Sequence, residues 1–346
     1  MSGELSVGIA GLNSAYWPTT FADWVGGRSD VTLDAVTALD ADAADVEANL
    51  GMTATAFEDR YGVDRVPTLD ALSTAVDATL VCTRNTAMPE TVVGALERGL
   101  DVFVAKPVAV NVEGLRAIGE AVADSDRVFT AGQTGRNHAA VSRIRELVDG
   151  GTIGDVHTVR VMHQHGRLAQ LAAGTWYADP TEGTACHWLG WYPIDAAVSI
   201  LGRAVELQGD GRRLANDFEG QPDHLQAIVR HESGRTSSLD IYCDVGSDWQ
   251  VDSIELEVIG SDGIARHRAP GDWISLHQDG GCERVEYEAG NAFDRDLDAW
   301  VGACRESGAP ALDPGDALNV AATGCAWQDA LDGEWTEVHG QFLSGK

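Results

Sequence analysis

The chain is 346 residues long, 44% of its residues are apolar, and its formal net charge is -30 at pH 7. The acidic residues are dispersed among periodic apolar segments, which excludes a disordered chain, and the lack of a basic stripe excludes a nucleic-acid partner. No run approaches the 18 apolar residues of a membrane span, so we expect no membrane partner.

The acidity indicates a salt-rich setting. A surface of this charge repels itself at low salt, whereas at molar salt the Debye length falls to about 3 Å and screens the repulsion. We therefore expect the cytosol of a halophilic archaeon. The first residues, "MSGELSVGIAGL", lack a basic region and a long apolar run, so we expect no signal peptide and a cytoplasmic location.

The first third of the chain alternates short apolar runs with helical segments. Repeated strand-helix-strand units predict an α/β Rossmann domain with a doubly wound parallel sheet, which binds small molecules at the carboxyl ends of its strands. Helical spacing occurs between the runs, as in "PETVVGALERGL". Strands are predicted at residues 5–12, 31–40, 78–83, 101–106 and 128–133.

After residue 150 the apolar residues alternate in twos. Segments such as "DVHTVRVMHQHG" and "SIELEVIGSDGIARHR" predict an α+β domain with an open, mostly antiparallel sheet. We expect a dinucleotide-binding domain at residues 1–127 and a substrate-binding domain at 128–346. A helix predicted at 314–331 can pack back on the first domain. Six cysteines without a CxxC pair favour free thiols, so we expect no metal.

The turn after the first strand departs from the dinucleotide motif G-x-G-x-x-G. Residues 11–16 are Gly-Leu-Asn-Ser-Ala-Tyr, so only the first glycine is present. Asn13 tolerates left-handed backbone geometry, and Pro18 suits a first helical position, which predicts a longer turn and a late helix. We expect a cofactor at Gly11, Leu12, Asn13 and Ser14.

Asp40 stands where the second strand is predicted to end. A carboxylate there can accept hydrogen bonds from both ribose hydroxyls and would repel a 2'-phosphate, which favours NAD over NADP. The alternative is that Asp40 is one more acid of "LDADAAD".

Five segments follow one another in a specific order: "VGIAGL", "LVCTRNTAMPETVVGALERGLDVFVAKPVAV", "AGQTGRNHAAVSRIRELVDGGTIGDVHTVRV", "WYADPTEGTACHWLGWYPIDAAVSILG" and "DLDAWVGACRESGAPALDPGDALNVAATGCAWQDAL". Over nearly the whole chain they resemble the Gfo/Idh/MocA oxidoreductases. The resemblance implies a Rossmann domain, a second-domain sheet with the substrate site, a nicotinamide cofactor and oxidation of a sugar or cyclic polyol. It also implies a homodimer or homotetramer through that sheet.

The resemblance assigns a role to Lys106, one of only two lysines among 24 basic side chains. In the family this lysine reaches the substrate hydroxyl and the cofactor ribose. A lysine ammonium is compact and its pKa can be lowered by burial, so it can polarise an alcohol, whereas arginine stays charged. The alternative is a surface lysine without a role.

The segment "HWLGWYPID" resembles the family's second catalytic segment. It implies that Tyr192 is an acid or base, aided by Lys106 because a nearby positive charge favours phenolate. Asp195 occupies the family's last acidic position, and Trp188 stands where the family has an aspartate. His187 is a candidate to replace that aspartate. The alternative for Tyr192 is a core residue at a helix start.

Other candidates surround the same cleft. The family's "TPN" motif appears here as Thr83-Arg84-Asn85, which implies cofactor contacts of Thr83 and Asn85. Arg84 is either a ligand for an acidic substrate or a surface arginine. The predicted substrate residues are Lys106, Arg136, His163, His165 and Tyr192, with ordinary sheet histidines as the alternative for the two histidines.

We expect an NAD-dependent dehydrogenase that acts on a sugar, sugar acid or cyclic polyol. Ala105, Trp188 and the turn with one glycine depart from the family pattern. A second hypothesis is therefore that this protein is a non-catalytic relative, which binds a dinucleotide or sugar or has a regulatory role. A third is transient use of NAD in glycoside cleavage or epimerisation.

Overall fold

The computed structural model describes residues 4–166, 173–243, 252–306, 310, 312–339 and 342. They form a six-stranded sheet and a nine-stranded sheet, each packed against helices. Within those ranges, no helix combines the length and apolarity that crossing a membrane requires.

The first sheet has the order β3-β2-β1-β4-β5-β6, with every neighbouring pair parallel. This confirms the doubly wound Rossmann sheet. The order reverses between β1 and β4, where such sheets bind ligands. Its strands are β1 (Leu5–Ala10), β2 (Val31–Thr37), β3 (Asp64–Arg65), β4 (Ala78–Val81), β5 (Asp101–Ala105) and β6 (Phe129–Gly132). The sixth strand lies beyond residue 127, so this sheet extends past the expected domain boundary.

Capping residues mark where the helices around this sheet begin and end. Asp42, Thr53 and Thr68 each accept a hydrogen bond from the backbone N–H three residues later, as N-caps do. Gly51 and Gly62 end two of the helices in the left-handed conformation. The helices are α1 (Trp17–Gly26), α2 (Ala43–Leu50), α3 (Ala54–Tyr61), α4 (Leu69–Ala75), α5 (Met88–Glu97) and α6 (Val112–Asp124).

The second sheet has the order β14-β13-β12-β11-β7-β10-β9-β8-β15. Its neighbours are antiparallel except β7 and β10, which pair in parallel. The mostly antiparallel sheet is thereby confirmed. Its strands are β7 (Val156–His165), β8 (Ala204–Arg212), β9 (His224–His231), β10 (Thr236–Cys243), β11 (Asp252–Gly260), β12 (Ile264–His267), β13 (Trp273–Gln278), β14 (Gly281–Glu286) and β15 (Asp332–Glu337).

The remaining helices connect the two sheets. One of them, α9, packs on β7 and β10, while α10 packs on β5 and β6. The helix predicted at 314–331 is α11, which contacts α6 and β6 as well as β8 and α9 and so joins both parts. The helices are α7 (Ala139–Asp149), α8 (Ala185–Trp188), α9 (Trp191–Leu201), α10 (Ala292–Glu306) and α11 (Pro314–Asp329), with single 3-10 turns at Trp176–Ala178 and Pro180–Glu182.

Candidate active site

The carboxyl ends of β5 and β6 place Lys106 beside Gln133. Ala105 pairs with Gly132 in the sheet, and the backbone N–H of Lys106 donates to the Gly132 carbonyl at 2.8 Å. The next residues of the two strands therefore leave the sheet edge side by side. The peptide bond between Lys106 and Pro107 is cis.

Lys106 lies against Tyr192 of α9. Its Nζ atom is 4.9 Å from the centroid of the Tyr192 ring and donates to the backbone carbonyl of Trp188 at 3.1 Å. An ammonium over an aromatic ring gains about 0.5–2 kcal/mol, depending on how far it is desolvated. At the position where the resemblance expects an acid, the main chain of Trp188 thus holds the lysine.

Among the described residues, Tyr192 also contacts Gln133 and His163. Its hydroxyl donates to Oε1 of Gln133 at 3.3 Å, and its ring lies 4.8 Å from the buried ring of His163. His165 lies 6.3 Å from His163. The structure therefore brings together four of the predicted residues, and it adds Gln133. The sequence signal for Gln133 was its place as the last residue of the fifth predicted strand, residues 128–133, at the carboxyl edge of the sheet.

Asp195 and Arg136 form a buried ion pair. The Asp195 carboxylate is 0% exposed and accepts from the Arg136 backbone N–H at 2.7 Å and from Nε at 2.8 Å. Burial alone would lower the pKa of Arg136, but the Asp195 and Asp316 charges raise it above its usual range. The two side chains thus fasten the loop after β6 to α9, whereas the sequence predicted Asp195 at the reacting group and Arg136 at the substrate.

His187 caps its own short helix. Its Nδ1 atom accepts a hydrogen bond from the Thr184 backbone N–H at 3.1 Å, and the ring also bonds to the backbone of Val110. Burial lowers the pKa of His187 to about 4. The ring is therefore neutral at pH 7, and its bonds to the main chain do not support the predicted replacement of the missing acid.

The turn after β1 requires the one glycine that it has. Gly11 has φ 107°, and a Cβ atom there would lie 2.9 Å from the Cys82 carbonyl, so only glycine fits. Beyond it, Asn13 donates from Nδ2 to Asp45 at 2.8 Å. The first helix begins at Trp17, which agrees with the predicted longer turn and late start.

A segment of the second part of the chain, residues 175–182, covers this turn. The Trp176 indole N–H donates to the Asn13 carbonyl at 2.6 Å, and the Tyr177 ring stacks on Trp176 with centroids 3.9 Å apart. Glu182 accepts from the Thr86 backbone N–H at 2.9 Å. The covered residues, Leu12, Asn13, Ser14, Thr83 and Asn85, are all buried. Sequence reasoning missed this cover, because nothing local marks Trp176 or Glu182 as partners of the turn.

Arg84 forms ion pairs with two acidic side chains, Asp45 and Glu182. Its Nη2 lies 2.5 Å from Asp45, and its Nη1 lies 3.7 Å from Glu182. Burial alone would raise the pKa of Asp45, but the bonds from Arg84 and Asn13 lower it below its usual range. These pairs match the alternative, a structural arginine, more closely than a free ligand for an acidic substrate.

A cleft of about 950 Å³, the outer cleft, opens beside the cover at the carboxyl ends of β1, β2 and β4. Asp40 lines it and is exposed. The cleft lies next to the point where the strand order reverses, so its position suits a nucleotide. Other lining residues are Asn13, Asp42, Asp45, Thr83 and Arg84. Within the described ranges, no three His, Cys, Asp or Glu side chains are grouped to hold a metal ion.

Two family models match the chain. The model described as "Oxidoreductase family, NAD-binding Rossmann fold" matches residues 5–133, and the model described as "GFO/IDH/MocA C-terminal domain" matches residues 141–266. The chain belongs to the GFO/IDH/MocA oxidoreductase family. As a GFO/IDH/MocA oxidoreductase it is an enzyme, and NAD is its cofactor, as the sequence predicted. Family membership thus favours the dehydrogenase over the non-catalytic hypothesis.

Individual relatives agree with this assignment. Inositol 2-dehydrogenase 3 from Saccharopolyspora erythraea is 29% identical over 276 residues, which cover 77% of this chain and 75% of the relative. An oxidoreductase from Agrobacterium radiobacter, solved with NAD+, L-tartaric acid and magnesium, is 16% identical with a TM-score of 0.81, covering 97% of this chain and 98% of its own. Levoglucosan dehydrogenase, solved with NADH and L-sorbose, is 16% identical with a TM-score of 0.81, covering 97% and 99%. These two structures share the fold of this chain.

Proposed function

We propose that the enzyme oxidises a hydroxyl group of a sugar, sugar acid or cyclic polyol, with Lys106 and Tyr192 at the reacting oxygen. The observation that carries this proposal is the 4.9 Å contact between the Lys106 ammonium and the Tyr192 ring. The name of the inositol dehydrogenase relative supports a cyclic polyol, and the structure solved with L-sorbose supports a sugar.

The outer cleft fits the adenosine half of NAD. Asp40 is exposed on its wall, where a carboxylate would accept hydrogen bonds from ribose hydroxyls and disfavour NADP. The tight approach of Gly11 to Cys82 keeps side-chain bulk out of the turn. When bound, NAD would supply the acceptor for the hydride that leaves the substrate carbon.

Lys106 and Tyr192 would together remove the proton of the substrate hydroxyl group. The positive charge of Lys106 favours the phenolate form of Tyr192, so the phenol oxygen can take up the proton as the alcohol becomes a carbonyl. The carbonyl of Trp188 holds the lysine in place during this step. The ring of His163 packs against the Tyr192 ring and limits where that ring can turn.

Lys106→Ala and Tyr192→Phe should each lower kcat/KM by about 100-fold or more, since positioned acid-base groups contribute about 10²–10⁴-fold. The measurement is NADH production in molar KCl with a panel of cyclic polyols and aldoses. Tyr242→Phe is the matched control, because Tyr242 packs on His224 and points to the sheet face opposite to its neighbour Ile241, which pairs with His163. Unchanged turnover in both test variants would show that this pair does not carry the chemistry.

A titration with NADH and NADPH, followed by tryptophan fluorescence, tests cofactor binding separately. Trp176 contacts the turn and should report an occupied site. Saturable binding that favours NADH supports the role of Asp40, and equal affinity for both cofactors would contradict it.

We further propose a homodimer or homotetramer through the open face of the second sheet. Ile228 of β9 is 48% exposed there, and Glu257 pairs with Arg160 and Arg266 on neighbouring strands. These features support an interface less acidic than the remaining surface. The halophilic archaeal origin and the cytoplasmic location stay predictions, supported by the net charge of -30.

A further inference from the structure

Gln133 has a fixed main chain at the centre of the site. The residue before it, Gly132, accepts the backbone N–H of Lys106. The residue after it, Thr134, donates its backbone N–H and its hydroxyl to the buried carboxylate of Asp296, each at 2.7 Å. These bonds hold the main chain on both sides of Gln133, so the side chain starts from a defined position beside Lys106 and Tyr192.

Within the described part of the chain, only one of the two polar groups of the Gln133 amide has a hydrogen-bond partner. Its Oε1 atom accepts the Tyr192 hydroxyl at 3.3 Å, whereas its NH₂ group makes no hydrogen bond among the residues that the structure describes. Gln133 is partly buried, and Lys106 leaves the neighbouring strand next to it. An amide donor, a phenol and an ammonium therefore meet at one place.

We propose that Gln133 is a specificity-determining residue of this site, which orients the Tyr192 hydroxyl through Oε1 and donates its free N–H to a substrate oxygen next to the reacting hydroxyl. The inference rests on the proposed function. The ligand chemistry it selects is a vicinal diol, because one oxygen would face Tyr192 and Lys106 while its neighbour would face the amide. Polyols and sugars both carry this pattern.

The first arm of the test needs no substrate. Accepting a hydrogen bond stabilises the neutral phenol, so Gln133→Leu should lower the pKa of Tyr192 by about 0.5–1 unit. Gln133→Glu should raise it, because a carboxylate accepts more strongly and opposes the phenolate charge. Lys106 and His163, which also face the ring, are unchanged in both variants. The readout is the phenolate absorbance in a pH titration, with Tyr192→Phe identifying the signal of this tyrosine.

Gln164→Leu is the matched control, since Gln164 lies on β7 between His163 and His165 and points to the opposite face of the sheet. It should leave the phenol titration unchanged. If both Gln133 variants titrate like this control, the Gln133–Tyr192 contact is absent and the inference is overturned.

The second arm uses myo-inositol as the vicinal diol and, as the analogue, the inositol in which hydrogen replaces both hydroxyls that flank the reacting one. Gln133→Leu should raise the KM of the diol about 3- to 10-fold, with a smaller change in kcat, and should not alter the KM of the analogue. An equal effect on both compounds would overturn the substrate contact. Failure of the proposed function is a different result, namely full turnover in Lys106→Ala and Tyr192→Phe, and it does not alter the titration.

Discussion

Asp296 is a buried carboxyl group that holds the active-site loop, and it forms no ion pair with the residues that the structure describes. It is 5% exposed, and its described partners are the backbone and hydroxyl of Thr134 and the amide of Asn137. Burial raises the pKa of Asp296 to about 7, although these donors oppose the shift. The loop that carries Gln133 and Arg136 is therefore anchored by a group that titrates near neutrality.

Asp296→Asn should change how stability depends on pH. Because the pKa in the folded protein lies above the ordinary value of 3.8, this group favours folding fully below pH 3.8, and the contribution is lost as pH rises to about 7. Between pH 5 and 7.5 the wild type should lose more free energy of unfolding than the variant, by roughly 2–3 kcal/mol at most. The measurement is denaturant unfolding at both pH values in constant molar KCl.

Asp294→Asn, an exposed change in the first turn of the same helix, is the control. It should keep the pH dependence of the wild type. Parallel stability curves for the wild type and Asp296→Asn would show that the buried carboxyl does not titrate in this range.

At the scale of elements, the site depends on how closely β1 approaches β4. The two strands pair in parallel, and the chain leaves β1 through Gly11 directly against Cys82 at the end of β4. The α1 helix then starts late, at Trp17, which leaves room for the cover made by residues 175–182. One glycine is therefore sufficient for this turn, because its remaining residues are packed by protein side chains.

Gly11→Ala should destabilise the protein by about 3 kcal/mol or more, because it adds a backbone clash at 2.9 Å to an unfavourable φ of 107°. Gly51→Ala separates the two effects. Gly51 has φ 76° at the end of α2 with no atom within 4 Å of the added carbon, so it should cost only about 1 kcal/mol. Equal losses of unfolding free energy in the two variants would argue against the close contact of β1 with β4.

At the scale of the whole molecule, charge opposes folding. The net charge of -30 is spread over the surface, and only some acids have arginine partners, such as Asp30 between Arg28 and Arg305. The repulsion that remains acts over the Debye length, which is about 3 Å at 1 M salt and about 10 Å at 0.1 M. Folding should therefore depend on dissolved salt more than on any single ion pair.

Lowering KCl from 2 M to 0.1 M should lower the thermal unfolding midpoint, because less screening leaves more repulsion in the compact state. The measurement is the midpoint from circular dichroism across a KCl series. NaCl added to the same ionic strength should restore the midpoint at low KCl, because screening depends on ionic strength. A midpoint independent of KCl would contradict the prediction of a salt-adapted protein.

The sequence by itself determined the parallel first sheet, the mostly antiparallel second sheet, the family, and the candidates Lys106, Tyr192 and Asp40. Apolar periodicity and glycine positions are local, so they can be read without knowing which segments meet. Only the tertiary structure decided that Asp195 is taken by Arg136, that Gln133 meets Tyr192 from 59 residues away, and that Trp176 covers the turn at Asn13. Such pairs depend on strand register and helix packing across two sheets, and no local pattern records which polar side chains those contacts bring together.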